Sequence, residues 1–234
     1  MEQSKIFKIG GSVIYDRSLN INKELLDKIK EWYFRTKETY EKLVMVVGGG
    51  SLSRELQSKI AGSVGGKEYL HGIGMSVTNT NANILKGYMQ DPDIYIPQKL
   101  GDAYESLLEK GKRTIISGGL KVGWSTDMDA ALFSDILEEK KIYKVSDIDY
   151  IYDKDPKENE DAVPIKDMTW DKYFDLFNIQ DGSVHTPNNR IPIDVECAKF
   201  CSQKGISFWI AGGKRISQEK DFEAILSEGT LIHP

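Results

Sequence analysis

Cysteine is almost absent from this chain: Cys197 and Cys201 are the only two among 234 residues. That excludes a disulfide framework, and their four-residue spacing without His or Asp at ligand spacing makes no zinc site. The pair reads as two small buried residues on one helical face. Histidine is equally scarce, and His71, His185 and His233 lie too far apart in sequence to read as a metal constellation. There is no basic excess either. Lys and Arg number 31 against 36 Asp and Glu, a formal net charge of −5, which argues against a nucleic-acid partner. No stretch approaches the ~18 apolar residues that span a bilayer, so no membrane partner is expected. Met1–Gly11 lacks a charged segment followed by an apolar one, and a cytoplasmic location is expected. Two phosphate-binding signatures are missing as well: G-x-x-x-x-G-K-[ST], and G-x-G-x-x-G after a strand. A P-loop NTPase and a standard dinucleotide-binding domain are both disfavoured.

What the chain does contain is an alternation of short apolar runs and amphipathic stretches. Residues 5–9, 43–47, 93–96, 113–116, 141–145 and 206–210 predict strands, several apolar at successive positions as in a buried parallel sheet. Helices are predicted over 23–35, 52–60, 75–88, 104–110, 127–138, 171–178, 195–204 and 222–226. The alternation predicts an α/β protein on a mostly parallel sheet. No repeat and no low-complexity tract interrupts it. The one long polar stretch, 147–161, reads as a linker or a loop at a nucleotide edge. No shift in composition divides the chain, so residues 1–234 are expected to form one domain.

Glycine is somewhat enriched, with 21 residues, against a usual share of roughly 7%. Placement matters more than number. Gly10 and Gly11, Gly48 to Gly50, Gly118, Gly119 and Gly123, and Gly212 and Gly213 cluster at or near the carboxyl ends of predicted strands. In an open parallel sheet those ends share one edge, outside which ligands bind. Glycine there lets backbone N–H groups approach a phosphate, and helices starting just after add further donors. Four such loops predict a surface that holds several phosphates.

The motifs around these glycines carry a resemblance. Lys8-Ile-Gly-Gly-Ser12 is similar to the K-x-G-G-S start of the amino acid kinase superfamily, and Gly48-Gly-Gly-Ser-Leu-Ser-Arg54 resembles the G-G-G-x-x-x-R loop of its uridylate (UMP) kinases. Ser117-Gly-Gly through Ser125-Thr-Asp127 and Asp129-Ala-Ala131 resembles the archaeal G-G…T-T-D…A-A segment. Ser146-Asp-Ile-Asp149 through Tyr152-Asp-Lys-Asp-Pro156 is similar to the nucleotide-binding stretch T-D/N-V-D-G-V-Y-x-x-D-P. Ile193-Asp194 with Ala198-Lys199, and Glu228-Gly-Thr-Leu-Ile232, resemble the next helix and the closing strand. The order holds over nearly the whole chain.

The resemblance implies a three-layer α/β/α sandwich, with an acceptor-binding half at about 1–115 and an ATP-binding half at about 116–234. It implies an enzyme that moves the γ-phosphate of ATP to UMP, in pyrimidine metabolism, with ATP and Mg²⁺ as cofactors and small nucleotides as partners. A homo-oligomer, a hexamer in the family, is also implied. Lys8 and Asp127 would be catalytic, Asp127 orienting the lysine. Gly10, Gly11, Ser12, Gly48, Gly49, Gly50, Arg54, His71, Ser125 and Thr126 would hold acceptor and phosphate. Gly118, Gly119, Ser146, Asp147, Tyr152, Asp155 and Pro156 would hold ATP, and no side chain is assigned to a metal.

Local chemistry offers plain alternatives for some of these residues. Asp127, Ser125 and Thr126 also suit a helix start, and Asp155-Pro156 alone would be a turn. Arg54 in a first helical turn opposes the helix dipole, and a bound phosphate would compensate. Trp124 reads as core packing. Two positions depart from the UMP kinase pattern. His71 stands where the family carries an Asp before a glycine turn that opens a helix, and Tyr150 replaces a glycine after Asp149. Imidazole cannot accept from two hydroxyls as a carboxylate does. Two other readings therefore stay open. One is a kinase of this fold with another acceptor: a different nucleoside monophosphate, isopentenyl phosphate or a carboxylate, although the H-G-A-G-S-F-G-H signature of isopentenyl phosphate kinases is absent. The other is a non-catalytic nucleotide-binding or storage protein.

Overall fold

The computed structural model describes residues 4–109, 113–180, 191–213, 222 and 228–234. Among them, seven strands form one sheet in the order β3-β2-β1-β4-β8-β9-β7, where β1 is Lys5–Ile9, β2 Leu43–Val47, β3 Thr114–Ser117, β4 Lys141–Ser146, β7 Asp167–Thr169, β8 Ser207–Gly212 and β9 Thr230–His233. The first five strands of that order run parallel, β9 opposes β8, and β7 follows β9. A short antiparallel pair, β5 (Ile151–Tyr152) with β6 (Pro164–Ile165), stands apart. All five residues of β2 are buried, as a central strand covered on both faces requires.

Alternation along the central strands feeds two cores. Phe7, Ile9, Met45 and Val47 pack with Leu25, Leu26, Ile29 and Trp32 of α2 (Lys23–Thr36) and with Leu85 and Met89 of α4 (Lys67–Met89). Ile6, Val44, Val46 and Ile142 face the other way. There they meet Ala130, Ala131 and Phe133 of α6 (Thr126–Ile136), Tyr173 of α7 (Trp170–Leu176) and Cys197, Ala198 and Cys201 of α8 (Val195–Lys204). The result is the expected α/β/α sandwich. The helix ends follow local chemistry. Asn22 accepts from the Leu25 amide to start α2, Asp194 accepts from Cys197 to start α8, and Gly205 at φ +65° closes α8.

Chain order fixes a switch point. From β1 the chain steps outward to β2 and β3, then returns to the other side of β1 with β4 and β8. The carboxyl ends of these five parallel strands lie on one edge, and the crevice opens between β1 and β4.

Several predicted bounds change: α3 (Gly50–Ile60) starts at 50 rather than 52, α5 (Leu100–Leu108) at 100 rather than 104, and three further readings are revised. Residues 93–96 form only a single bridge, Tyr95 with Ile115, because Pro92 and Pro97 flank them and offer no amide to extend a ladder. Helix α4 begins at Lys67, not Met75, so the glycines at 72 and 74 lie inside it and form no opening turn. Gly74 is tolerated because α3 (Gly50–Ile60) presses close: a Cβ there would collide with Gln57, whose amide donates to Leu70 O at 2.7 Å. The polar stretch 147–161 is no linker, since it contributes β5 and a tight turn in which Asp155 Oδ1 accepts from the Lys157 amide. Residues 110 and 223–226 of the predicted helices, and His185, lie outside the described residues. Among the described residues no helix is long and apolar enough to cross a membrane.

Candidate active site at the carboxyl edge of the sheet

Lys8 and Lys144 are register partners on β1 and β4, so their side chains leave the sheet together on the face covered by α6. Asp127, in the first turn of α6, reaches down between them. Lys144 Nζ donates to its Oδ2 at 2.6 Å, and Lys8 Nζ stands 3.6 Å from its Oδ1. The second distance makes an ion pair but no hydrogen bond, and Oδ1 has no protein donor. Lys144 also donates to Pro192 O at 2.5 Å. All three residues are buried, at 6–8% exposure.

Burial sets the electrostatics. Desolvation pushes Lys8 down to about 8; Asp127 opposes that shift and Lys144 reinforces it. Asp127 itself lies below the usual carboxylate range, because Lys144 and Lys8 together outweigh the upward push of burial. Two ammonium groups on one carboxylate leave positive charge unmatched in a place where charge is costly. An anion is the complement.

The glycine loops close around this group. A Cβ on Gly48 would lie 2.9 Å from Lys8 Nζ and 3.4 Å from Thr126 Oγ1, so Gly48, Lys8 and Thr126 meet. Gly11 and Gly50 interlock so tightly that a Cβ on either would strike the other loop's backbone. Two buried side chains brace the crossing: Asn81 Nδ2 donates to Gly48 O at 2.8 Å, and Tyr15 OH donates to Asn81 Oδ1 at 2.9 Å. Arg54 Nη2 donates to Ser12 Oγ at 3.1 Å, which brings the guanidinium to the first loop. Neither α1 (Gly11–Ile14) nor α3 carries a side-chain cap, so their first N–H groups stay available to a ligand.

Other predicted residues fall elsewhere. Ser125 caps α6 by accepting from the Met128 amide at 3.0 Å, and its hydroxyl is given to Asp194. Gly118 and Gly119 follow β3, across β1 from the β4 loop, and pack against Asn79, Met75 and Thr78 of α4. The Gly119 amide is consumed by Thr78 Oγ1 at 2.7 Å, so this loop is braced and does not offer that donor to a phosphate. Ser146 and Asp147 follow β4, where Asp147 lies near enough to raise Lys8 slightly, while Tyr152 ends β5, whose Ile151 amide donates to Thr230 Oγ1 of β9 at 2.9 Å. Asp155 serves its own turn. His71 sits half-buried in α4. Trp124 is only half-buried and lies under Lys121, whose Nζ stands 4.3 Å from the ring centroid, so it is no core residue.

Sequence reasoning missed Lys144 and Asn81, and read Asp194 only as part of a helix motif. For Lys144 a signal existed: a lysine inside the apolar run KIYKV, as Lys8 stands inside KIFKI. Asn81 likewise interrupts the buried spacing Val77, Asn81, Leu85 on α4.

Fold and site together define an α/β protein whose switch point holds two buried lysines on one aspartate. The amino acid kinase family profile matches residues 4–212, and the chain belongs to that family and to its phosphotransferase class of enzyme. A uridylate kinase of Thermococcus onnurineus is 26% identical over 230 residues, covering 98% of this chain and 99% of the relative. One from Methanococcus aeolicus is 28% identical over 236 residues, with the same coverage. Among solved structures, uridylate kinase from Archaeoglobus fulgidus superposes with a TM-score of 0.73 at 23% identity, covering 99% of this chain and all of that one. UMP kinase from Bacillus anthracis gives 0.72 at 17% identity, covering 99% and 96%.

Proposed function

We propose that this protein is a UMP kinase, moving the γ-phosphate of ATP to the phosphate of UMP. The carrying observation is the buried Lys8–Asp127–Lys144 group at the switch point, with two cations on one carboxylate. The relatives' names supply the acceptor. UMP would lie on the β2–β3 side, against Gly48–Gly50 and Arg54. ATP would lie on the β4–β8 side, near Ser146, Asp147 and Tyr152.

The reaction needs little acid–base chemistry. A phosphate monoester has a second pKa near ~6, so the attacking oxygen is already anionic at neutral pH. The obstacle is repulsion between two anions. Lys8 and Lys144 offset it at the transferring group, and Asp127 fixes where their charge sits. Arg54 offers a planar fork to the acceptor phosphate. A net charge of −5 is no obstacle, because the local field governs binding. With Asp127 committed to two lysines, the donor set here suits Mg²⁺ that arrives on the nucleotide, where it neutralises phosphate charge.

The test is ADP release from ATP–Mg²⁺ with UMP, other nucleoside monophosphates, isopentenyl phosphate and small carboxylates. UMP is expected to give the highest kcat/KM. His71 in place of an Asp favours the second reading, a different acceptor, and a higher value for another compound would establish it. ATP binding with no turnover on any acceptor would mean a storage protein.

A further inference from the structure

Asp129 is a fully buried carboxyl group that the chemistry above does not use. It sits in the first turn of α6, two residues beyond Asp127. Its Oδ2 accepts from the Leu120 amide at 3.3 Å, while Oδ1 has no partner. Leu120 belongs to the loop after β3, whose neighbouring Gly119 amide is held by Thr78 from α4. The loop is therefore pinned from two sides, by Thr78 and by Asp129.

Among the described residues no counter-charge reaches this carboxyl. From α6 its charged neighbour is Asp127, and from the start of α8 it is Asp194. The ammonium groups of β1 and β4, Lys8 and Lys144, are committed to Asp127, and β2 presents Val44 and Val46. One long backbone hydrogen bond does not compensate a buried charge beside two like charges.

We infer that Asp129 is a positioning residue that ties the loop after β3 to the helix turn bearing Asp127, and that it does so as the neutral acid. Burial, with Asp194 and Asp127 adding to it, raises its pKa to about 7. The folded state thus keeps a proton that the unfolded state releases near the ordinary Asp value. Asp129 favours folding most below that value, and the benefit is lost as pH rises to about 7. Above that, ionisation loosens the pin on the acceptor side.

The role of the loop rests on the kinase reading; the protonation state does not. The experiment compares wild type with Asp129→Asn and Asp129→Val. Melting temperature is read from pH 4.5 to 8.5, and KM for UMP and for ATP at pH 6.5 and 8.5. Asn keeps a neutral acceptor for Leu120, so its melting temperature should exceed that of wild type by a gap that widens up to pH ~7 and then levels. A constant gap would overturn the neutral-acid assignment. Asp129→Val should raise KM for UMP about tenfold with KM for ATP within twofold, a change of roughly 1.4 kcal/mol in acceptor binding. Asp129→Asn should restore it and hold it level at pH 8.5, where wild type rises. Equal changes in both KM values would reduce Asp129 to a structural residue. If Val fails to fold, the Asn comparison still decides. Wild type that turns over no UMP, yet shows the pH-dependent gap, would overturn the kinase reading alone.

Discussion

Lys8 is held where its ordinary charge is expensive, and that cost has a readable pH. With its pKa near 8, the free protein loses the Lys8 ammonium as pH rises past that point, so kcat/KM should fall above about pH 8. The stability effect has the opposite sign. The unfolded chain keeps that proton up to its higher ordinary value, so the penalty is present below pH 8 and is relieved as pH climbs to that value. Lys8→Ala should cost about 10²-fold or more in kcat, as loss of a transition-state charge contact does, with the circular dichroism unchanged. Lys144→Ala should cost stability as well, on the order of 3 kcal/mol, because it strips a buried carboxylate of its nearest cation. Denaturant melts separate the two variants. A third substitution, His71→Asp, should lower KM for UMP if a carboxylate there accepts from sugar hydroxyls. A rise would assign recognition to the imidazole itself.

Among the elements, α6 gathers three polar contacts in one turn: Ser125 caps it, Asp127 pairs with Lys144 and Lys8, and Asp129 accepts from the Leu120 amide. Ser125→Ala removes a cap and the partner of Asp194, and should lower stability by about 1 kcal/mol, or roughly 2–4 °C for a chain of this size. Thermal melts with and without ATP would detect it. The elements also show how much was readable in advance. Strands β1 and β2, and helix α8, match their predicted bounds, because apolar runs and caps are local signals. The start of α4 was misplaced because Gly72 and Gly74 suggest a turn when read alone, and only the packing of Gln57 explains Gly74. Lys8, Asp127, Arg54 and Gly48 could be nominated from motifs. Lys144 shows only as a lysine inside an apolar run, and its place beside Lys8 depends on a strand pairing that no local pattern encodes. The resemblance implies an ATP role for Gly118 and Gly119, and sheet order puts them across β1 from the β4 loop.

At the scale of the molecule, the proposed function puts its two ligands on opposite sides of the switch point, around Lys8, Asp127 and Lys144. ATP and UMP should therefore each raise the melting temperature, and together raise it further, since each binds the native state alone. The family resemblance also predicts a homo-hexamer, which light scattering on a sizing column reads directly; a monomeric mass would refute it. The position of β1 has one more consequence, for synthesis. It is made before both of its neighbours in the finished sheet, β2 and β4, and β4 follows only after β2, β3 and α6. Until then one side of β1 stays an open edge, and Lys8 waits without Lys144. Closing that gap is a long-range contact, which slows folding and prolongs exposure of a sticky edge. The reactive centre is thus also a late assembly step, and a nascent chain halted before β4 would bring a strong aggregation-prone strand and no activity.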